Sequence, residues 1–296
     1  MFYPTIEYDY PLFRPPSEAN SLILQVTSGC SWNKCAFCEM YSEKTFKIKA
    51  FEQIKKEVLS FKSISNKINK VFLADGDAMV LKTEKLLKIL NVINENFPKV
   101  RRISAYAKPK NLNTKTFEEL KSLRNAGLNL IYIGLESGDN ELLNIINKDE
   151  DYDSSKNGPL KSKNAGIKSS VMILNGLGGL NYWKQHALNS AKLVNEIQPD
   201  FLSTLVLSFP FGIEHYKKKF KTDFIEMNTI QLFEELYLFL KNTKLNSTVF
   251  RSDHASNYLI LKGILSKDKT QILEKLQYAI NNPKQSNLRE EWQRGL

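Results

Sequence analysis

The sequence predicts an α/β fold in which helices cover a parallel sheet. Short aliphatic runs alternate with helical stripes about six times along the 296 residues, and no shift in composition divides the chain. All three cysteines stand in one nine-residue stretch directly after the first predicted strand. Such alternation gives right-handed crossovers, and so either a doubly wound open sheet or a barrel. In a parallel barrel the chemistry sits at the carboxyl ends of the strands, where the cysteine stretch falls.

Residues 1–20 read as a polar lead-in, with Pro15-Pro16 disfavouring helix. The apolar run 22–27 is a buried strand that enters the cysteine stretch. Phe51, Ile54, Val58 and Phe61 share one helical face. Residues 70–75 form the second strand, and Leu86, Leu87, Leu90 and Ile93 a second helical stripe stopped near Pro98. Residues 102–107 are the third strand, followed by a helix opening at about Asn113 and ending at Ala126-Gly127. Residues 130–135 are the fourth strand, with a short helix at about 140–147 and a polar loop over 148–155. A further helix leads to Ala165-Gly166 and the fifth strand, 170–174. A long helix over 183–197 stops before Pro199, and 201–207 is the sixth strand. Helix over 229–240, a last strand at 247–250 and a helix over 269–280 complete the chain.

The net charge is +10 and the pI about 9.2. That charge admits an anionic partner such as nucleic acid. The lysines are scattered, however, with one tight run at Lys217-Lys218-Lys219, and read better as general composition. No apolar run approaches the ~20 residues of a membrane span. The opening Met1-Phe-Tyr-Pro-Thr-Ile-Glu lacks a basic start followed by an apolar run, so no secretory signal is expected and a cytoplasmic location is.

The stretch Cys30-Ser-Trp-Asn-Lys-Cys35-Ala-Phe-Cys38 is spaced C-x4-C-x2-C. An odd number of closely spaced cysteines favours metal binding over disulfides. Thiolates bind iron–sulfur clusters and soft metals. Three of them can hold three irons of a [4Fe–4S] cubane and leave the fourth open to a small chelator. The alternative is a non-catalytic zinc or nucleic-acid-binding module. Zinc needs a fourth ligand, and His186, His215 and His254 are all distant in sequence.

Three cysteines after the first strand of an alternating chain, ending in Cys-Ala-Phe-Cys with aromatic Phe37 before the last, resemble the radical S-adenosylmethionine (radical SAM) superfamily. The usual spacing there is C-x3-C-x2-C, so this chain carries one extra residue. The resemblance implies a (β/α)6 partial TIM-type barrel over residues 21–245, with a C-terminal extension over 246–296. It implies a [4Fe–4S] cluster on Cys30, Cys35 and Cys38, and SAM chelating the open iron. Reductive cleavage of SAM then gives a 5′-deoxyadenosyl radical that abstracts hydrogen from a substrate the sequence does not identify. An electron donor such as flavodoxin or ferredoxin is implied as a partner.

Later motifs extend the resemblance. Asp75-Gly76-Asp77 stands where the family has a Gly-rich turn for the SAM amino group. Gly134-Leu-Glu136-Ser137-Gly138 resembles the family's Gly-Leu/Ile-Glu-Ser motif, which implies SAM contacts for Glu136 and Ser137. Lys148 is placed to reach the methionine carboxylate or to stand in solvent. Ser104 and Tyr106 share a face of the third strand and are expected near SAM or substrate. Met172 and Leu207 are expected near adenine, or else as simple core. The segment 250–258 offers His254 as acid or base and Arg251 as an anion holder, or else a polar network tying the C-terminal helix to the barrel. With no second cysteine cluster, and no room for a cobalamin-binding or tRNA-binding domain, the expectation is a minimal radical SAM core.

Overall fold

A computed structural model describes residues 6–294, so the first five residues of the opening read above lie outside the described residues. From the amino end, β1 (Leu22–Gln25) and β2 (Thr27–Ser28) lead into the cysteine stretch. After it come β3 (Lys47–Ile48), α1 (Phe51–Ser60), β4 (Lys70–Ala74), α2 (Thr83–Asn96), β5 (Arg102–Ala107), α3 (Pro109–Asn113), α4 (Phe117–Asn125) and β6 (Leu128–Glu136). The chain continues through α5 (Asn140–Ile145), α6 (Tyr152–Asn164), β7 (Lys168–Asn175), α7 (Gly179–Ile197) and β8 (Phe201–Val206). It closes with α8 (Ile213–Lys219), α9 (Thr229–Asn242), β9 (Val249–Ser252), β10 (Leu261–Ile264) and α10 (Leu265–Asn281). This is the expected α/β class with a mostly parallel sheet.

Two compact units are present. The first holds the described residues up to Asn33, Met40–Ile133 and Asn157–Ser169. In it β1, β4, β5 and β6 pair in parallel, with Leu22 opposite Val71, Phe72 opposite Ser104 and Ala105 opposite Ile131. These strands are nearly continuous apolar runs because helices cover them. Val71, Phe72, Leu73, Ile103 and Ile131 are all buried, as are Leu86, Leu90 and Ile93 of α2. The lead-in is docked on this unit. Glu18 is fully buried, pairs with Arg102 at 2.9 Å and accepts from the Tyr132 hydroxyl at 2.5 Å.

The expected helix opening at Asn113 is corrected. Pro109 begins the separate short α3, and Thr116 starts α4 through a reciprocal capping box with Glu119.

The second unit holds Lys34–Glu39, Gly134–Lys156 and everything from Ser170 onward. There β7, β8 and β9 pair in parallel and β10 runs antiparallel to β9. The Asn257 side chain extends the ladder past β9. Its Oδ1 accepts from Val206 N at 3.0 Å and its Nδ2 donates to Thr204 O at 2.9 Å. The polar stretch expected as loop over 148–155 turns helical at Tyr152. Asp151 and Ser154 supply a cap, since Ser154 N donates to Asp151 Oδ1 at 2.7 Å and Asp151 N to Ser154 Oγ at 3.0 Å. The Lys217-Lys218-Lys219 run forms the last turn of α8, where cations complement the helix dipole.

Candidate active site

The cysteines form no disulfide and each is partly exposed. Cys30 belongs to the first unit, and its surroundings follow from the turn after β4. Asp75 is fully buried. Its Oδ2 accepts from Lys44 Nζ at 3.0 Å, Gly29 N at 3.2 Å and Gln25 Nε2 at 3.3 Å. Lys44 is itself buried and also donates to Asp9 O at 2.5 Å. Asp75 is therefore engaged in fixing the start of the cysteine stretch, a role the sequence did not suggest for it. Gly76 lies so close to that stretch that an added Cβ would stand 3.1 Å from Cys30 Cβ and 2.8 Å from Tyr41 Cε2. Only glycine admits this approach.

Asp77 accepts from Ser31 Oγ at 2.6 Å and from Asn111 Nδ2, while its Oδ1 is buried with no partner. Burial drives its carboxyl up to about 6 against the opposing pull of Ser31, Lys108 and Asn111. Beyond it on β5, Ser104 Oγ is likewise buried without a partner. Tyr106 packs edge-on against Phe72 at 5.0 Å, and burial raises its pKa. Asn33, with φ of 54°, closes the loop by donating from Nδ2 to Tyr41 O at 2.6 Å and Lys44 O at 3.2 Å.

Cys35 and Cys38 belong to the second unit, where the turn after α5 grips their segment. Ala36 N donates to Ile146 O at 2.8 Å and Asn147 Nδ2 donates to Lys34 O at 3.0 Å. Phe37 lies under the Lys148 ammonium, 5.4 Å from ring centroid to Nζ. Ala36 and Leu207 share one apolar cluster, against which Phe37 packs. Met172 is half-buried on β7, opposite Ser203. Glu136 ends β6 at φ of 65°, pairs with Lys148 at 3.0 Å and keeps Oε2 buried and unpartnered. Lys148 is thus directed at Glu136 and is 8% exposed, which corrects its reading as a solvated lysine.

Ser137 bonds His186 Nδ1 at 2.8 Å and accepts from Asp139 N at 3.0 Å, so its hydroxyl donates to the ring. His186 Nε2 then carries the proton that reaches Leu174 O at 3.0 Å. Burial holds this histidine neutral, its pKa lowered to about 4. Below it, Glu235 Oε2 accepts from Gly176 N at 2.5 Å and from Asn175 Nδ2, tying α9 to the turn that follows β7. Burial raises the Glu235 carboxyl to about 8. Its unfolded value is 4.5, so the folded state holds this proton more tightly. The stabilisation is complete below the unfolded value and is lost as pH rises through about 8. Glu235→Gln is expected to flatten that alkaline loss, measured as Tm between pH 5 and 9; an unchanged slope would contradict it.

Arg251 is exposed on β9. His254 accepts at Nδ1 from Ser256 N at 3.1 Å, and its carbonyl accepts from Arg289 at 2.6 Å. Arg294 donates to Ser256 O at 2.9 Å and lies 3.9 Å from the Tyr258 ring. These bonds tie the segment to the chain that follows α10.

Sequence reasoning missed Lys44, Asn33, Asn147 and Glu235. Glu235 carried a signal, because it interrupts the buried stripe Leu232, Leu236, Phe239 and Leu240. Lys44 carried none, since its partner is 31 residues away.

No group of three His, Cys, Asp or Glu side chains converges for a single metal ion among the described residues. A mononuclear zinc site needs donors about 2.0–2.3 Å from one point, whereas a cluster takes one thiolate per iron. Three thiols are the donor type such a cluster takes. Buried side-chain oxygens without a hydrogen-bond partner stand on Asp75, Asp77 and Ser104 in the first unit and on Glu136 in the second.

A family model described as the radical SAM superfamily matches residues 24–191. The chain belongs to the radical SAM superfamily. Its enzymes use a [4Fe–4S] cluster and SAM. Among curated proteins, the heme chaperone HemW of Buchnera aphidicola (subspecies Acyrthosiphon pisum, strain APS) is 25% identical over 197 residues, or 64% of this chain and 51% of that protein. The chain thus spans about half the length of that relative. Among solved structures, Escherichia coli coproporphyrinogen III oxidase (HemN), a radical SAM enzyme, matches with a TM-score of 0.57 at 17% identity, over 75% of this chain and 52% of that one. Methylornithine synthase (PylB) matches at 0.51 and 16%, over 76% and 63%. The hydrogenase maturase HydG matches at 0.51 and 18%, over 77% and 51%. These structural likenesses carry the fold alone. No helix among the described residues is long and apolar enough to cross a membrane.

Proposed function

We propose that this radical SAM enzyme binds its cluster through Cys30, Cys35 and Cys38 and abstracts hydrogen from a substrate still to be identified. The bound cluster and SAM supply one-electron reductive cleavage and the 5′-deoxyadenosyl radical. The observation that carries the reading is the approach of Gly76 to Cys30, with the unpartnered Asp77 Oδ1 beside it. An ammonium group there would satisfy the buried, unpartnered Oδ1 atoms of Asp75 and Asp77, so the Asp75-Gly76-Asp77 turn holds the SAM amino end, while Asp75 Oδ2 fixes the loop. Among the polar candidates for SAM are Ser104 Oγ in the first unit and Glu136 Oε2 in the second, each buried and unpartnered. The apolar candidates are Tyr106 in the first unit and Phe37, Met172 and Leu207 in the second. Ser137 acts through His186 to position its turn.

The catalytic core spans residues 21–245, with 1–20 as lead-in and 246–296 as extension. The electron donor is an acidic redox protein of the flavodoxin or ferredoxin kind, matched to the net charge of +10. The substrate of HemN is not carried over, because the likeness to it is one of fold. The test is anaerobic reconstitution with iron and sulfide, then dithionite and SAM, with 5′-deoxyadenosine quantified. Wild-type protein is expected to form it, and Asp77→Ala to form at least tenfold less with its iron content retained. Protein that binds iron and sulfide yet never cleaves SAM would sink the reading.

A further inference from the structure

Lys148 and Glu136 form a buried ion pair beside the segment that carries Cys35 and Cys38. Their Nζ–Oε1 distance is 3.0 Å, and both side chains are less than a tenth exposed. Burying such a pair costs several kcal/mol per ion, and a well-packed apolar pair is often as stable. Stability alone does not account for it.

Its construction is specific. Glu136 adopts a left-handed backbone conformation, φ 65°, uncommon for a residue with a side chain. A Cβ on Gly134 would collide with Glu136 Oε1 and lie 3.5 Å from Lys148 Nζ. The glycine of the Gly-Leu-Glu-Ser motif therefore makes room for the pair. Lys148 is fixed from the other side by its own backbone, whose N–H donates to Leu143 O at 3.0 Å, and by the left-handed Asn147 at φ 54°. The preceding residues grip the cysteine segment through Ile146 O and Asn147 Nδ2. The pair is also polar in direction, because the ammonium end lies over Phe37, the residue between Cys35 and Cys38 in the chain.

We propose that the Lys148–Glu136 pair sets the reduction potential of the cluster, the lysine charge stabilising the reduced state and the glutamate limiting that effect. The inference rests on the cluster reading above. The physical basis is that a fixed cation in a low-dielectric environment favours the more negative oxidation state of a nearby cluster.

The test is a spectroelectrochemical titration of the reconstituted full chain without SAM. Lys148→Met removes the cation and leaves Glu136, so the midpoint potential is expected to fall. Glu136→Gln leaves the cation opposed only by the cluster, so the potential is expected to rise. Lys148→Arg keeps the charge and is expected to titrate near wild type. A merely structural pair would not send the two charge-removing variants in opposite directions. Shifts of the same sign, or potentials unmoved in variants that load iron like wild type, would overturn the proposal. If Lys148→Met fails to load iron, Glu136→Gln and Lys148→Arg still decide it. A wild-type chain that takes up no cluster would instead overturn the reading beneath it.

Discussion

Replacing any one of Cys30, Cys35 and Cys38 with serine is expected to abolish iron–sulfur incorporation and, with it, formation of 5′-deoxyadenosine. The chain has three cysteines in all, so none can be substituted by another. Serine removes the soft thiolate while keeping the size. Loss of an outer-shell partner typically costs about 10–100-fold in affinity or activity, and loss of one of three ligands is expected to exceed that range. The measurement is iron and sulfide content with the visible absorbance of the reconstituted protein. Thermal stability of the cluster-free protein should change little, because the cysteines are partly exposed and form no disulfide. A serine variant that retained wild-type iron would remove that cysteine from the ligand set.

Lys44→Met is expected to be the most destabilising single change around the site. It leaves the Asp75 carboxylate fully buried, with Gly29 N and Gln25 Nε2 still donating but no counter-charge. Breaking a buried pair from one side costs roughly 3–5 kcal/mol, a fall in Tm on the order of 10 °C for a domain of this size. Asp75 holds Gly29, the residue before Cys30, so cluster retention should fall with stability. The double change Lys44→Met with Asp75→Leu removes both charges and should recover part of the lost Tm without recovering the cluster. If the single variant melts within 2 °C of wild type by scanning calorimetry, the pair is not the support described.

Much of the fold was legible because parallel strands and their helices write distinct periods into the sequence. Residues 102–107 were read to the residue, and β4 differed by one position. Three of the misread helix boundaries trace to local signals at helix starts. Pro109 decides where a helix begins through its fixed φ, and Thr116 and the Asp151/Ser154 pair do so through a few hydrogen bonds, none of which hydropathy registers. β10 and α8 were missed because they are short and their apolar content is spread between loops. At the candidate site, position alone put forward the residues next to the cysteines and at strand ends. Their division of labour could not. That Asp75 Oδ2 is engaged by Lys44 and Asp77 Oδ2 by Ser31, each leaving its Oδ1 unpartnered, depends on contacts spanning 31 and more residues of sequence. Glu136 is similar: its motif was visible, but its partner Lys148 emerged only with the backbone turned at φ 65°.

Asn33 bears on how such proteins are found. A residue turned back at φ 54° adds contour without adding reach, and its side chain fastens the surplus to Tyr41 and Lys44. The turn between the first two cysteines is thus held by bonds to the residues that follow the stretch. Profiles that permit one insertion there, weighted toward asparagine or glycine, should recover further chains that a fixed spacing discards.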